Sequence, residues 1–153
     1  MTSLCCKVVA ALAGRSLATA ESLTGGGIGA AITAVPGSSA VFKGGIISYT
    51  NEVKNRILGV SPEVSQTCGA VSAPVAEAMA QGAARLLETD YALAVTGLAG
   101  PGGDDYGNPV GTVYIACAAP CGTVSRRYLF SGDRESVRCQ TAEAALSLLL
   151  EQL

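Results

Sequence analysis

The segment Tyr91-Ala-Leu-Ala-Val-Thr96 carries no charged side chain and no turn residue. A short run of that kind reads as a strand buried on both faces, so the sheet that contains it must be covered on either side. The rest of the chain supplies the covering layers. Leu4, Cys5, Val8, Val9 and Leu12 recur at helical spacing up to Gly14, which predicts a short amphipathic helix ended by a glycine cap. Leu17 to Ala20 reads as a strand, Glu21 to Gly27 as a turn, and Ile28 to Ala34 as a helix stopped by Pro36-Gly37. A second strand is expected from Gly45 to Tyr49. It is followed by a helix over Glu52 to Leu58, capped by Asn51 and ended by Gly59, and by a short helix opening at Ser61-Pro62-Glu63. Ser72 and Pro74 start a longer helix with Val75, Met79, Ala83 and Leu86 on one face. Beyond the buried strand, Thr112 to Ala118 and Thr123 to Phe130 read as adjacent strands joined at Pro120 to Gly122. Asp133 then caps a last helix whose apolar face includes Val137, Ala144, Ala145, Leu148 and Leu149. Strands alternating with helices, then a hairpin and a closing helix, predict an α/β fold: a three-layer α/β/α sandwich with a mixed sheet. The 153 residues are about one domain's length, with no linker, internal repeat or low-complexity tail.

Composition narrows the chemistry. Apolar residues make up 49% and charged residues 14%, a balance too apolar and too weakly charged for disorder. The net charge is −2 and no basic block exceeds Arg126-Arg127, so the extended cationic footprint of a nucleic-acid binder is missing. No apolar run approaches the ~20 residues of a membrane helix. Leu4 to Ala13 followed by Ala18-Thr-Ala20 imitates a signal peptide only faintly, because no charge precedes the apolar part and Lys7 interrupts it. The chain has no histidine, which removes Ser-His-Asp and Cys-His nucleophile pairs and every histidine-containing metal site. Cys5, Cys6, Cys68, Cys117, Cys121 and Cys139 form no CxxC pair. Neither a zinc site nor a disulfide framework is suggested, and buried reduced thiols in a cytoplasmic protein are expected.

Four segments carry polar groups placed for chemistry. Ser22 to Gly27 joins a strand to a helix through glycines, an arrangement that aims backbone amides and the positive helix end at an anion or oxyanion. Ser22 there is either a nucleophile or an ordinary helix cap. The run lacks the lysine of a Walker phosphate loop and does not match GxGxxG. In Tyr49 to Lys54 a strand end presents a tyrosine beside the first turns of a helix that carries a lysine. Without histidine, a desolvated lysine is the most plausible base for an activated serine, because burial lowers an ammonium's pKa toward neutrality. The competing reading is a solvated helix lysine, with Glu52 and Arg56 forming a surface ion pair. Thr96 to Gly103 leaves the carboxyl end of the buried strand, where open α/β sheets bind ligands. It opens a glycine-rich loop to Gly111 that is too long for a plain connector. Asp104 and Asp105 in this loop read as solvated carboxylates rather than cation ligands. Arg134 and Arg138 share one face of the last helix and suit either a phosphate monoester or solvent.

Taken together these segments resemble the CinA C-terminal domain family, whose stand-alone bacterial members are nicotinamide-nucleotide amidases. The carrying residues are Ala20-Glu21-Ser22-Leu23-Thr24-Gly25-Gly26, Pro36-Gly37-Ser38-Ser39, Gly44 with Tyr49-Thr50-Asn51-Glu52-Val53-Lys54, and Gly69-Ala70-Val71-Ser72. Thr96-Gly97-Leu98-Ala99-Gly100-Pro101, Pro109-Val110-Gly111-Thr112-Val113, and Gly132-Asp133-Arg134 with Val137-Arg138 complete the set. The resemblance implies deamidation of nicotinamide mononucleotide to nicotinate mononucleotide and ammonia, with no metal and no cofactor. It implies Ser22 as nucleophile, Lys54 as general base and Tyr49 assisting or orienting them. Thr24, Gly25, Gly26, Thr96, Gly97 and Gly100 would shape the substrate site and Arg138 would act near the nucleotide. The chain looks like the free-standing form, without the N-terminal domain that accompanies this module in the full-length proteins, and a homodimer is the family expectation. The alternatives are a pyridine-nucleotide-binding or regulatory module without catalysis, and a structural assembly domain.

Overall fold

The computed structural model describes all 153 residues. Its elements follow in the order α1 (Thr2–Ala11), β1 (Leu17–Glu21), α2 (Gly27–Thr33), β2 (Phe42–Ile47), α3 (Asn51–Leu58), α4 (Pro62–Cys68), α5 (Ala73–Leu87), β3 (Tyr91–Gly97), β4 (Thr112–Ala119), β5 (Gly122–Leu129) and α6 (Arg134–Gln152), with a 3-10 turn at Ser38–Ala40. The strands form one five-stranded sheet in the order β2-β1-β3-β4-β5. β1 runs parallel to β2 and β3, whereas β4 runs antiparallel to β3 and β5, so the sheet is mixed.

Side chains alternate across a strand, and here the two faces differ in size. Leu17, Leu93, Val95, Val113, Ile115 and Cys117 point to the face covered by α1, α2 and α6. Ala18, Ala20, Ala92, Ala94, Ala116 and Ala118 point to the other and meet Val75, Ala76, Met79, Ala80 and Ala83 of α5. An alanine floor beneath an alanine-rich helix lets α5 lie close to the sheet. It also comes close to α3: a Cβ on Gly82 would fall 2.0 Å from the Leu58 carbonyl oxygen, so only glycine fits there.

Several local expectations are corrected. Thr50, not Asn51, caps α3, its Oγ1 accepting from the Val53 N–H at 3.3 Å. Its extended backbone is the one a cap requires. β2 begins at Phe42 rather than Gly45, because all of β1 finds partners along Phe42–Ile47 despite the two glycines. α1 ends at Ala11 with Leu12 as its C-cap, short of Gly14. Leu86 is exposed; the inner face of α5 turns through Ala76 and Ala80 instead, small residues that a search for large apolar side chains passes over. On α6, Ala144 is only half-buried while Ala142 and Leu146 join the core. Among the cysteines only Cys5 and Cys117 are buried, and Cys6, Cys121 and Cys139 are exposed. Burial pushes the Cys117 thiol up to about 12. No helix is long and apolar enough to cross a membrane.

The chain crosses from β1 to β2 by α2 on one face, and from β2 to β3 by α3, α4 and α5 on the other. Reversal of the winding at β1 opens a crevice at the carboxyl ends of β1 and β3, where ligands enter open α/β sheets.

Candidate active site

Ser22 follows the last residue of β1 and stays tied to the sheet, its N–H donating to the Val95 carbonyl at 3.1 Å. Lys54, in the first half of α3, is 1% exposed, which excludes the solvated helix lysine. Its Nζ donates to Ser22 Oγ at 2.9 Å, to the Ser48 carbonyl at 2.8 Å and to the Tyr49 carbonyl at 3.3 Å. None of the ion pairs in the structure involves Lys54. Desolvation without a compensating carboxylate brings its pKa from 10.5 down to about 8. The neutral amine therefore lies within reach near physiological pH. It has two N–H donors and one lone pair; the two carbonyls can only accept, so they take the donors and leave the lone pair to the Ser22 hydroxyl. The expected ion pair between Glu52 and Arg56 does form, at 3.2 Å on the exposed face of the same helix.

A cleft of about 270 Å³ opens over the serine and lysine. Ser22, Leu23, Tyr49, Asn51 and Lys54 form one wall, and Ala70, Val71, Thr96 to Gly100, Gly102 and Arg134 complete it. Thr96 Oγ1 donates to the Ala70 carbonyl at 2.8 Å, tying β3 to the connection between α4 and α5. The glycine-rich loop is stapled to α4 and to the same connection. Tyr106 Oη donates to the Gln66 carbonyl at 2.6 Å and Asn108 Nδ2 to the Val71 carbonyl at 3.3 Å. Asp104, which is half-exposed, also organises the loop, accepting from the Tyr106 and Asn108 N–H groups at 3.0 Å each. Arg134 spans the mouth, with Nη1 donating to the Gly100 carbonyl at 2.6 Å and Nη2 to Tyr49 Oη at 3.0 Å.

The expected binding residues divide into two groups. Thr96, Gly97 and Gly100 line the cleft. Arg138 lies behind the Ser22 turn, with Nε donating to the Leu23 carbonyl at 3.0 Å and Nη2 to the Thr24 carbonyl at 3.2 Å, and it borders a separate hollow with Thr24 and Gly27. Gly25 and Gly26 turn the chain with φ of 59° and 97°, conformations that favour glycine, and Gly26 is the N-cap of α2. Ser22 is therefore not the helix cap. Both arginines remain exposed while anchored by hydrogen bonds, Arg138 on two backbone carbonyls and Arg134 on one carbonyl and the Tyr49 hydroxyl.

The profile of the CinA C-terminal domain matches residues 2–153. The chain belongs to the CinA C-terminal domain family. A CinA-like protein of Synechocystis sp. is 50% identical over 143 residues, covering 92% of this chain and 34% of that protein. A CinA-like protein of Geobacter metallireducens is 49% identical over 140 residues, again 92% of this chain and 34% of the relative. The chain thus spans about a third of the length of these curated relatives. Among solved structures, the competence damage-inducible protein A of Klebsiella pneumoniae superposes with a TM-score of 0.96 at 36% identity, covering 99% of this chain and 95% of the other. A competence/damage inducible protein of Agrobacterium tumefaciens gives 0.95 at 38% identity, with 99% and 94% covered.

In this CinA C-terminal domain the helix end beside Ser22 is not open to an anion, contrary to the expectation for a glycine-rich turn. The amides of α2 are occupied by Glu21, which is 2% exposed: its Oε1 accepts from the Ile28 N–H at 2.9 Å and its Oε2 from the Gly29 N–H at 3.0 Å. Sequence reasoning passed over Glu21 as a turn residue. The available signal was an acidic side chain at a strand end, one helix entry away from unpaired amides. Ser48 was also missed; its carbonyl grips Lys54, and its own hydroxyl is buried without a partner.

Proposed function

We propose that the protein is an amidohydrolase that converts nicotinamide mononucleotide to nicotinate mononucleotide and ammonia, with Ser22 as nucleophile and Lys54 as general base. The observation that carries this reading is the 2.9 Å contact between Lys54 Nζ and Ser22 Oγ at the floor of the cleft, with the amine buried and its other donors held by carbonyls. Neutral Lys54 takes the hydroxyl proton as Ser22 Oγ attacks the carboxamide carbon. The resulting ammonium has three N–H groups and three acceptors in place. As the tetrahedral intermediate collapses, Lys54 returns the proton to the departing nitrogen, which leaves as ammonia, and an acyl ester remains on Ser22. Water then attacks the ester with Lys54 again accepting a proton, and Ser22 is regenerated as the acid leaves. Thr96, Gly97 and Gly100 pack against the substrate. Arg134, the cation in the cleft wall, takes the phosphate, with Tyr49 holding the guanidinium in place. Arg138 acts through the turn it holds.

The test is ammonia and nicotinate mononucleotide release by the purified protein, with Ser22→Ala and Lys54→Ala in parallel. Wild type should form both products in equal amounts, and each variant should lose at least ~10³-fold in turnover. Wild-type rates from Ser22→Ala would overturn the mechanism. Thermal stabilisation by the nucleotide without ammonia release would identify a binding module instead.

A further inference from the structure

Glu21 and Ser22 are adjacent, and strand alternation sends them to opposite faces of the sheet. The Glu21 carboxylate takes its shortest hydrogen bond not from the helix it caps but from the turn that bears the nucleophile, accepting from Thr24 Oγ1 at 2.6 Å. The α2 amides follow at 2.9 and 3.0 Å, and Thr19 Oγ1 donates to Oε2 at 3.4 Å. The turn is thus gripped from two sides, Arg138 holding the carbonyls of Leu23 and Thr24 and Glu21 holding the hydroxyl of Thr24. Inside it, the Gly25 N–H donates to the Ser22 carbonyl at 3.1 Å. With both ends of Ser22-Leu23-Thr24 tied down, Ser22 Oγ has little freedom to swing away from Lys54 Nζ.

We infer that Glu21 is a positioning residue that fixes the Ser22 hydroxyl on Lys54 by binding the nucleophile turn and the first turn of α2 into one rigid unit. This rests on the reading of Ser22 as nucleophile. A carboxylate that served only as a helix cap would need the α2 amides alone, and loss of the Thr24 bond would leave reactivity unchanged. Two variants separate these roles. Glu21→Gln keeps the shape but replaces one acceptor with a donor that faces other donors. Thr24→Val keeps the carboxylate on the helix and removes only its bond to the turn.

Each folded variant is compared with wild type for kcat and KM in ammonia release from nicotinamide mononucleotide. A second readout is the rate at which a fluorophosphonate labels Ser22, followed by intact mass; there the Oγ–P bond forms, fluoride leaves and Lys54 receives the proton. Glu21→Gln should lower kcat and the labelling rate together by ~100-fold with KM little changed. Thr24→Val should lower both by roughly tenfold. Variants that melt at lower temperature but turn over and label at the wild-type rate would overturn the inference. If wild-type Ser22 is labelled but releases no ammonia, the amidase reading fails while the labelling rates still judge Glu21; if it is neither labelled nor active, both readings fall.

Discussion

The two faces of the sheet at the end of β1 bury groups of opposite kind by the same means. On the α2 face a carboxylate, Glu21, is surrounded by donors: a hydroxyl at 2.6 Å and two helix amides. On the α3 face an amine, Lys54, is surrounded by acceptors: a hydroxyl and two carbonyls. Neither forms an ion pair, although they serve neighbouring residues. For Lys54 the separation sets the pKa. A carboxylate at ~4 Å would favour the ammonium and cancel the effect of burial, whereas neutral carbonyls orient the amine and leave its pKa near 8. For Glu21 the same use of neutral dipoles produces a fixed joint.

The largest effect should come from removing the proton acceptor. Lys54→Met keeps the bulk of the side chain on the α3 face and should reduce ammonia release by at least ~10³-fold, while Glu52→Gln on the exposed face of the same helix leaves stability within ~0.5 kcal/mol.

The buried amine also predicts the pH dependence of stability. The unfolded chain holds the Lys54 proton up to its ordinary pKa of 10.5 and the folded protein releases it from about 8. Between those values the unfolded state binds more protons, so stability from this group rises with pH through that window, and the burial penalty is complete below it. The swing is on the order of 3 kcal/mol. Between pH 7.5 and pH 10, denaturant unfolding should show wild type gaining about 2 kcal/mol relative to Lys54→Met; equal changes in both would mean that the amine is not desolvated.

Support for the α3 face can be broken from a distance. Gly82→Ala sets a Cβ against the Leu58 carbonyl and should lower stability by about 1–3 kcal/mol, with turnover falling further than the folded fraction because α3 carries Lys54. At the small end, Ser48→Ala removes a hydroxyl with no partner while the carbonyl that holds Lys54 remains. It should change stability by less than ~1 kcal/mol and leave the pH profile in place; a shifted profile would show that the hydroxyl contributes to the amine's environment.

Much of this architecture is legible in the residues. Tyr91 to Thr96 announces a doubly covered strand, and the succession of strands and helices gives the layers. The absence of histidine points to a serine and lysine pair before any contact is known. What the sequence withholds is what depends on approach between distant segments. Lys54 reads as a surface residue on a short helix until α5, seated on an alanine floor and passing Leu58 at Gly82, covers that helix. Glu21 lies within a recognised motif, yet its role follows only from the direction β1 gives its side chain. Arg134 and Arg138 share a helix face, but one turn of rise puts the first at the mouth of the cleft and the second behind the Ser22 turn.

The most direct test of a neutral lysine held among carbonyls beside a serine is the pH dependence of kcat/KM for ammonia release from nicotinamide mononucleotide, which reports the free enzyme's essential base. The account predicts activity that rises with pH through a single titration near 8, the value set by burial of Lys54. A rate that stays flat from pH 6 to beyond pH 9 would contradict it.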